Sequence, residues 1–284
     1  MDESPPPPSE ERKDRAREEY QASRKKEGID MTPSPFILGP RFRMSPMRVL
    51  LGSGGISTES RRDLYRRLVS DHFSDSGDVL FVPYASGDHR SYTNRMQELL
   101  GDEGPTLVGL ESFDDPIAAV ESHDAIYVGG GNSFLLIREM HERALIGPLR
   151  EKVLGGSAYL GVSAGSNVAS PTMMTTNDMP IVHPPSFESL GVVPFQINPH
   201  YHPGKILFRY EGEVLEHFGE SRSQRISEYH REHQTPVLGM WEGSFVGWNG
   251  SMGILFGRAT AFRRGSEPVE MEDGTLFDSQ LRIR

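Results

Sequence analysis

The chain has 284 residues, 36% of them hydrophobic, a formal net charge of −10 and no cysteine. That length accommodates a sizeable core in one large domain, and the absence of cysteine excludes disulfides, thiolate metal sites and a cysteine nucleophile. Residues 1–46 hold nine acidic and nine basic side chains, which leaves the whole −10 to the body, a poor surface for a phosphate backbone; nucleic acid is not expected as a partner.

In chain order, the first 46 residues carry eight of the 21 prolines, and the stretch EERKDRAREEYQASRKKEG has almost nothing apolar to bury. They read as a disordered or loosely helical tail, dispensable for activity. The opening MDESPPPPSEERKDR is acidic and proline-rich where a secretory signal is basic and then apolar, and no apolar run approaches the roughly 18 to 20 residues that span a bilayer. A cytoplasmic protein without a membrane partner is the expectation. From Met47 the texture changes to short apolar runs alternating with amphipathic ones. RVLL (48–51) precedes GSGG, and TESRRDLYRRLVSDHF reads as a helix with Leu64, Leu68 and Phe73 near one face. VLFVPYA (79–85), TLVGL (106–110), AIYVGGG (125–131) and AYLGVSAG (158–165) read as buried strands, with helical segments around 91–102, 114–121 and 132–154. Strand then helix, repeated, predicts a mostly parallel sheet with helices on both faces. After Gly243, SFVGWNGSMGILFG and ATAFRRG read as strands joined by turns such as Asn249-Gly250, hence antiparallel hairpins at the sheet edge. Residues 47–284 are expected to form a single α/β domain.

Ligands in such sheets bind beyond the carboxyl ends of the strands, and three segments place chemistry there. GVSAGSN (161–167) sets Ser163 between two glycines as GxSxG, the spacing of a nucleophile elbow that exposes a hydroxyl between strand and helix. AIYVGGGNS ends a strand on Gly129 to Gly131 and offers unencumbered backbone N–H groups for an oxyanion. VVPFQINPHYH reads as a buried strand halted by Pro199, with His200 just beyond it, placed to act as a base. A serine at its ordinary pKa is a poor nucleophile, so His200 must take its proton and an acid must hold the imidazole. Two acids compete for that place. Asp178 lies in the polar turn TTNDMPIV, fifteen residues after the serine, and Glu242 lies in MWEGS, just after the apolar run VLGM.

These segments together resemble peptidase E, the α-aspartyl dipeptidase family of serine peptidases (S51). The resemblance rests on VGGGNSF (128–134), GVSAGSNVASPTMMTTNDMPIV (161–182), QINPHY (196–201), GESRSQRI (219–226) and LGMWEG (238–243), and it covers roughly residues 47 to 275. The block containing TTNDMPIV is its most specific part and separates the chain from the related cyanophycinases. The resemblance implies a flavodoxin-like α/β fold akin to the class I glutamine amidotransferases, with serine in place of their cysteine. It also implies hydrolysis of dipeptides with an N-terminal aspartate, with no metal or other cofactor. By motif, Ser163 matches the nucleophile, His200 the general base, and Asp178 and Glu242 both match acids associated with the relay. Gly131 and Ala164 would supply the oxyanion amides, Ala164 because it follows an elbow nucleophile.

Reading an N-terminal aspartate requires holding a carboxylate and an ammonium side by side in an acidic body, so local positive charge is needed. Arg222 and Arg225 are the candidates, because a guanidinium fork matches a carboxylate bidentately. Asn132 and Thr176 could supply further hydrogen bonds, and the acid not holding His200 could take the ammonium. A monomer or small homo-oligomer is expected. Three other readings set alternatives: a metal shared by His200 and His202 with help from His230 and His233, a nucleotide- or phosphate-binding sensor module with GSGG and GGGNS as its phosphate-binding turns, and a related hydrolase acting on other acidic peptides or aspartyl amides.

Overall fold

The computed structural model describes residues 47–205 and 207–284; the tail expected over residues 1–46 lies outside the described residues. The alternation of the sequence becomes β1 (Arg48–Gly52), α1 (Glu59–His72), β2 (Val79–Val82), α2 (His89–Leu100), β3 (Leu107–Gly109), α3 (Pro116–Ser122) and β4 (Ala125–Val128). It continues with α4 (Ser133–Glu142), α5 (Ile146–Leu154), β5 (Ala158–Val162) and the short α6 (Ala164–Asn167). Side-chain oxygens start most of the helices: Thr58 caps α1, Asp88 caps α2, Asp115 caps α3 ahead of Pro116, and Asn132 caps α4. The segment 132–154, read as one helical stretch, is two helices, because the chain turns at Ala144 with φ 55°.

Strands β3-β2-β4-β5-β1 run parallel, and they are pure core sequence because both faces are covered. Leu50, Phe81, Tyr127 and Leu160 face α1 and α2 through Leu64, Tyr65, Leu68, Val69 and Leu100. The neighbouring strand residues, among them Leu51, Val82, Val128 and Tyr159, face α3, α4 and α5 through Val120, Leu136, Ile137, Met140, Leu149 and Val153. Beyond β1 the sheet continues antiparallel through β10 (Phe245–Trp248), β11 (Met252–Phe256) and β14 (Leu276–Asp278), with Asn249 and Gly250 in the first turn, as the sequence predicts for SFVGWNGSMGILFG; ATAFRRG, expected at the same edge, pairs in a different sheet because its strand lies antiparallel to Val237–Trp241.

A second sheet was not legible in the sequence. β6 (Gln196–Tyr201) and β9 (Val237–Trp241) pair in parallel, and β12 (Ala259–Phe262) and β13 (Val269–Met271) extend them in the order β13-β12-β9-β6. Ile197, Leu238, Met240, Ala259 and Met271 join the α3–α5 core. Pro199 does not halt β6, which runs on through His200 to Tyr201 with a shift of register after Asn198. Between β6 and β9 lie a separate exposed hairpin, β7 (Leu207–Tyr210) with β8 (Glu213–Glu216), and α7 (Arg222–Glu232), which opens on a capping box between Ser221 and Gln224.

Candidate active site

Ser163 occupies the turn from β5 into α6 with φ 54° and ψ −109°, a conformation a residue with a Cβ adopts only where its surroundings enforce it. The enforcement is visible. Ser163 N–H donates to Gly52 O at 2.8 Å and Asn167 N–H to Ser163 O at 2.9 Å. Both motif glycines are dictated by close approach, since a Cβ on Gly161 would collide with the Gly165 carbonyl and one on Gly165 with the Val128 carbonyl. Between them Ser163 carries the only polar side chain, flanked by Val162 and Ala164.

His200 lies in β6 and Glu242 just past the end of β9. These strands are parallel neighbours, so their carboxyl ends reach the same place although the residues are far apart in sequence. Ser163 Oγ and His200 Nε2 stand 2.8 Å apart, and His200 Nδ1 and Glu242 Oε2 stand 2.7 Å apart. A carboxylate can only accept, so the Nδ1 proton points to Glu242 and the Nε2 lone pair faces the serine hydroxyl. The imidazole and carboxylate are 39% and 41% exposed, so the pair sits at the wall of an open crevice.

Asp178 stands elsewhere. Its Oδ2 accepts from Ser133 N–H and Ser133 Oγ, each at 2.7 Å, and from Thr176 Oγ1 at 3.2 Å, which fastens the loop after α6 to the start of α4. Ser133, not singled out from the sequence, thus contributes both its amide and its hydroxyl. Arg222, the first residue of α7, is half-buried and within electrostatic range of Asp178. Burial, and then the neighbouring Arg225, lower its guanidinium below the ordinary value, while Asp178 acts in the opposite sense. No hydrogen-bond acceptor or ion-pair partner for the Arg222 side chain lies among the described residues. Arg225, one turn further on, is exposed and leans on Glu220 at 3.6 Å. Asn132 is already occupied, its Oδ1 capping α4 at Leu135 N–H and its Nδ2 donating to Met179 O at 2.9 Å.

The glycine turn after β4 lies against the serine, an ideal Cβ on Gly130 falling 3.2 Å from Ser163 Cβ. Its amides are nearly all taken. Gly129 N–H goes to Val82 O, Asn132 N–H to Ala85 O and Ser133 N–H to Asp178, while Gly130 N–H meets the Tyr92 hydroxyl. Gly131 N–H has no acceptor among the described residues, and neither does Ala164 N–H, the first amide of α6. The GSGG turn after β1, read as a phosphate cradle in one alternative, is filled: Gly54 packs on the His200 ring and Gly55 on the Glu242 side chain. The histidines of the metal reading form no ligand cluster among the described residues. His200 uses both nitrogens as above, His230 Nε2 pairs with Thr235 O, His233 stacks on Tyr229, and no group of three or more candidate ligands gathers among the described residues.

A hydroxyl backed by an imidazole and a carboxylate, raised on an elbow at the carboxyl edge of a parallel sheet, places the protein among the α/β serine hydrolases. Comparison with known proteins narrows the class. The chain belongs to peptidase family S51, whose model matches residues 49–255, a span that includes every site residue described above. It is 44% identical to a peptidase E of Streptomyces coelicolor over 211 residues, 72% of this chain and 83% of that one. It is 45% identical over 184 residues to a Drosophila melanogaster protein named "Probable alpha-aspartyl dipeptidase", 64% of this chain and 74% of that one. Peptidase E of Salmonella typhimurium is 37% identical over 215 residues, 74% of this chain and 90% of that one. The crystal structure of a peptidase from an acI-B1 actinobacterium shares the fold, with a TM-score of 0.58 at 15% identity over 82% of this chain and 96% of that one. Among the described residues no helix is long and apolar enough to cross a membrane.

Proposed function

We propose that the protein is a serine dipeptidase that hydrolyses Asp-Xaa through an acyl-enzyme, with Ser163 as nucleophile, His200 as base and Glu242 as the acid that holds it. The observation that carries this reading is the unbroken hydrogen-bonded line from Ser163 Oγ through His200 to Glu242, at 2.8 and 2.7 Å. Ser163 Oγ attacks the aspartyl carbonyl carbon as His200 Nε2 takes its proton, and Glu242 steadies the imidazolium. Negative charge on the former carbonyl oxygen falls to the N–H groups of Gly131 and Ala164. Collapse breaks the C–N bond, and the departing amine takes the proton from Nε2. Water then enters, gives a proton to Nε2 and attacks the ester, which releases aspartate and restores Ser163.

Specificity rests on Arg222 and Asp178, opposite charges within reach of each other near the mouth of the site. Arg222 takes the substrate's side-chain carboxylate and Asp178 its ammonium, with Thr176 and Asn132 shaping the loop that carries Asp178. Arg225 stands further out and adds general positive charge. The deciding experiment is hydrolysis of Asp-Leu beside Leu-Leu and isoaspartyl-Leu by the wild-type protein and Ser163→Ala, with chelator throughout. Cleavage of Asp-Leu alone, abolished in the variant, is expected. Folded wild-type protein inert on Asp-Leu but active on another acidic peptide or an aspartyl amide would move the substrate while leaving the nucleophile in place.

A further inference from the structure

In β6 two residues, Pro199 and His200, stand where β9 offers one, Met240: Asn198 is opposite Gly239 and Tyr201 opposite Trp241. A bulge of this kind interrupts the ladder and leaves backbone groups without strand partners. His200 adopts φ 55° at this point, a left-handed conformation that costs energy in a residue with a Cβ. The gap is closed from outside the sheet. Ser53 Oγ accepts from His200 N–H at 2.8 Å and donates to Met240 O at 3.1 Å, so one hydroxyl does what the missing ladder bond would do. Ser53 is fully buried, and its own N–H is fixed on Ser244 O at 2.9 Å.

The residue before it holds the nucleophile. Gly52 O accepts from Ser163 N–H at 2.8 Å and from Ser166 Oγ at 2.8 Å. The two residues after it form the floor of the site: an ideal Cβ on Gly54 would lie 2.8 Å from His200 Cε1, and one on Gly55 would meet Glu242 Cγ. Four consecutive residues at the end of β1 therefore touch all three members of the hydrogen-bonded line. We infer that Ser53 is a positioning residue for catalysis: its hydroxyl plugs the β6 bulge and holds the His200 backbone where Nε2 meets Ser163 and Nδ1 meets Glu242. This rests on the serine-hydrolase reading above. It also gives the GSGG stretch a use, as the template on which nucleophile and base are aligned.

The test is Ser53→Ala, assayed in two ways that do not depend on each other: steady-state hydrolysis of Asp-Leu, and the rate at which a fluorophosphonate probe modifies Ser163, which needs the base but no aspartyl recognition. A misplacement on the order of 1 Å at a reacting group lowers rates by about 100-fold. The expected result is a kcat loss of roughly 10- to 100-fold with KM within about threefold, and a matching loss in labelling rate, in protein that melts cooperatively. A purely structural serine would lower the melting temperature and leave both rates per folded molecule alone, and that result would overturn the inference. Should Ser53→Ala not fold, Ser53→Cys, of similar size and a weaker hydrogen-bonding group, takes its place, with an intermediate loss expected and wild-type rates counting against it. If the wild-type protein labels at Ser163 yet cleaves no Asp-Xaa, the substrate assignment fails and the labelling rates still decide the role of Ser53. Folded wild-type protein that never labels sinks both.

Discussion

Replacing Glu242 by Gln removes one charge and almost no volume, so it isolates what the carboxylate does for His200. In the ground state the pair needs no charge on the imidazole; the ion pair forms only as the serine proton moves to Nε2, which makes it an interaction of the transition state. Two unit charges about 4 Å apart attract by about 4 kcal/mol near a protein surface and about 1 kcal/mol in bulk water. His200 and Glu242 are in direct contact at 2.7 Å but 39% and 41% exposed, so the value belongs between these limits, about 2–3 kcal/mol after screening. At about 1.36 kcal/mol per decade this is roughly a 30- to 150-fold loss of kcat with KM little changed. Asp178→Asn makes the contrast. Its Oδ2 serves Ser133 and Thr176, an amide oxygen can keep those bonds, and the lost charge faces Arg222 and the substrate ammonium. The expected effect is a rise in KM for Asp-Leu of about tenfold with kcat within about fivefold. The assay is the full kcat and KM of both variants on Asp-Leu, with circular dichroism to establish folding. The reasoning is refuted if Asp178→Asn collapses kcat at unchanged KM while Glu242→Gln stays near wild type.

Arg222→Ala should raise KM for Asp-Leu tenfold or more and shrink the preference over Asn-Leu, whereas Arg225→Ala, already paired with Glu220 in solvent, should change KM less than threefold. Equal effects of the two would remove Arg222 from the specificity site. Gly165→Ala forces a Cβ onto the Val128 carbonyl beneath the elbow and should cost about 1–3 kcal/mol, seen as a melting temperature lowered by on the order of 5 °C or more; an unshifted melt would mean the elbow is looser than described. Burial first, then repulsion from Arg48, lowers the His72 imidazole from 6.5 to about 3, and its Nε2 donates to Tyr159 O. The unfolded chain therefore takes up a proton at a higher pH than the fold does, so this contribution is complete above about pH 6.5 and is lost as pH falls towards 3, by about 2 kcal/mol at pH 5. His72→Gln should flatten the fall in stability between pH 7 and pH 5 measured by urea titration, and an unaltered slope would contradict that assignment.

The features readable from the chain were those whose causes are local. Alternation of strand and helix follows from runs such as VLFV and AIYV beside amphipathic stretches, and the elbow follows from two glycines within two residues of Ser163, so both could be located before any packing was known. The break at Ala144 inside 132–154 does leave a local mark, Gly147-Pro148 in the first turn of α5, where a proline is tolerated but could not continue a preceding helix; the apolar pattern running across 134–149 hides it.

What the sequence by itself determined, then, is a parallel α/β sheet with a serine raised at its carboxyl edge, glycine amides beside it and a histidine near by. Which acid stands beside that histidine, which arginine lies within electrostatic range of Asp178 and what the GSGG turn packs against were decided by tertiary structure. Asp178 is nearer the serine along the chain, yet its loop is drawn to the start of α4 by Ser133, while Glu242 arrives from the far side of the chain on β9 because β9 pairs with β6. Hydrogen-bond partners are chosen by which strand ends lie side by side, and strand pairing across tens of residues leaves no mark in the local sequence of either strand.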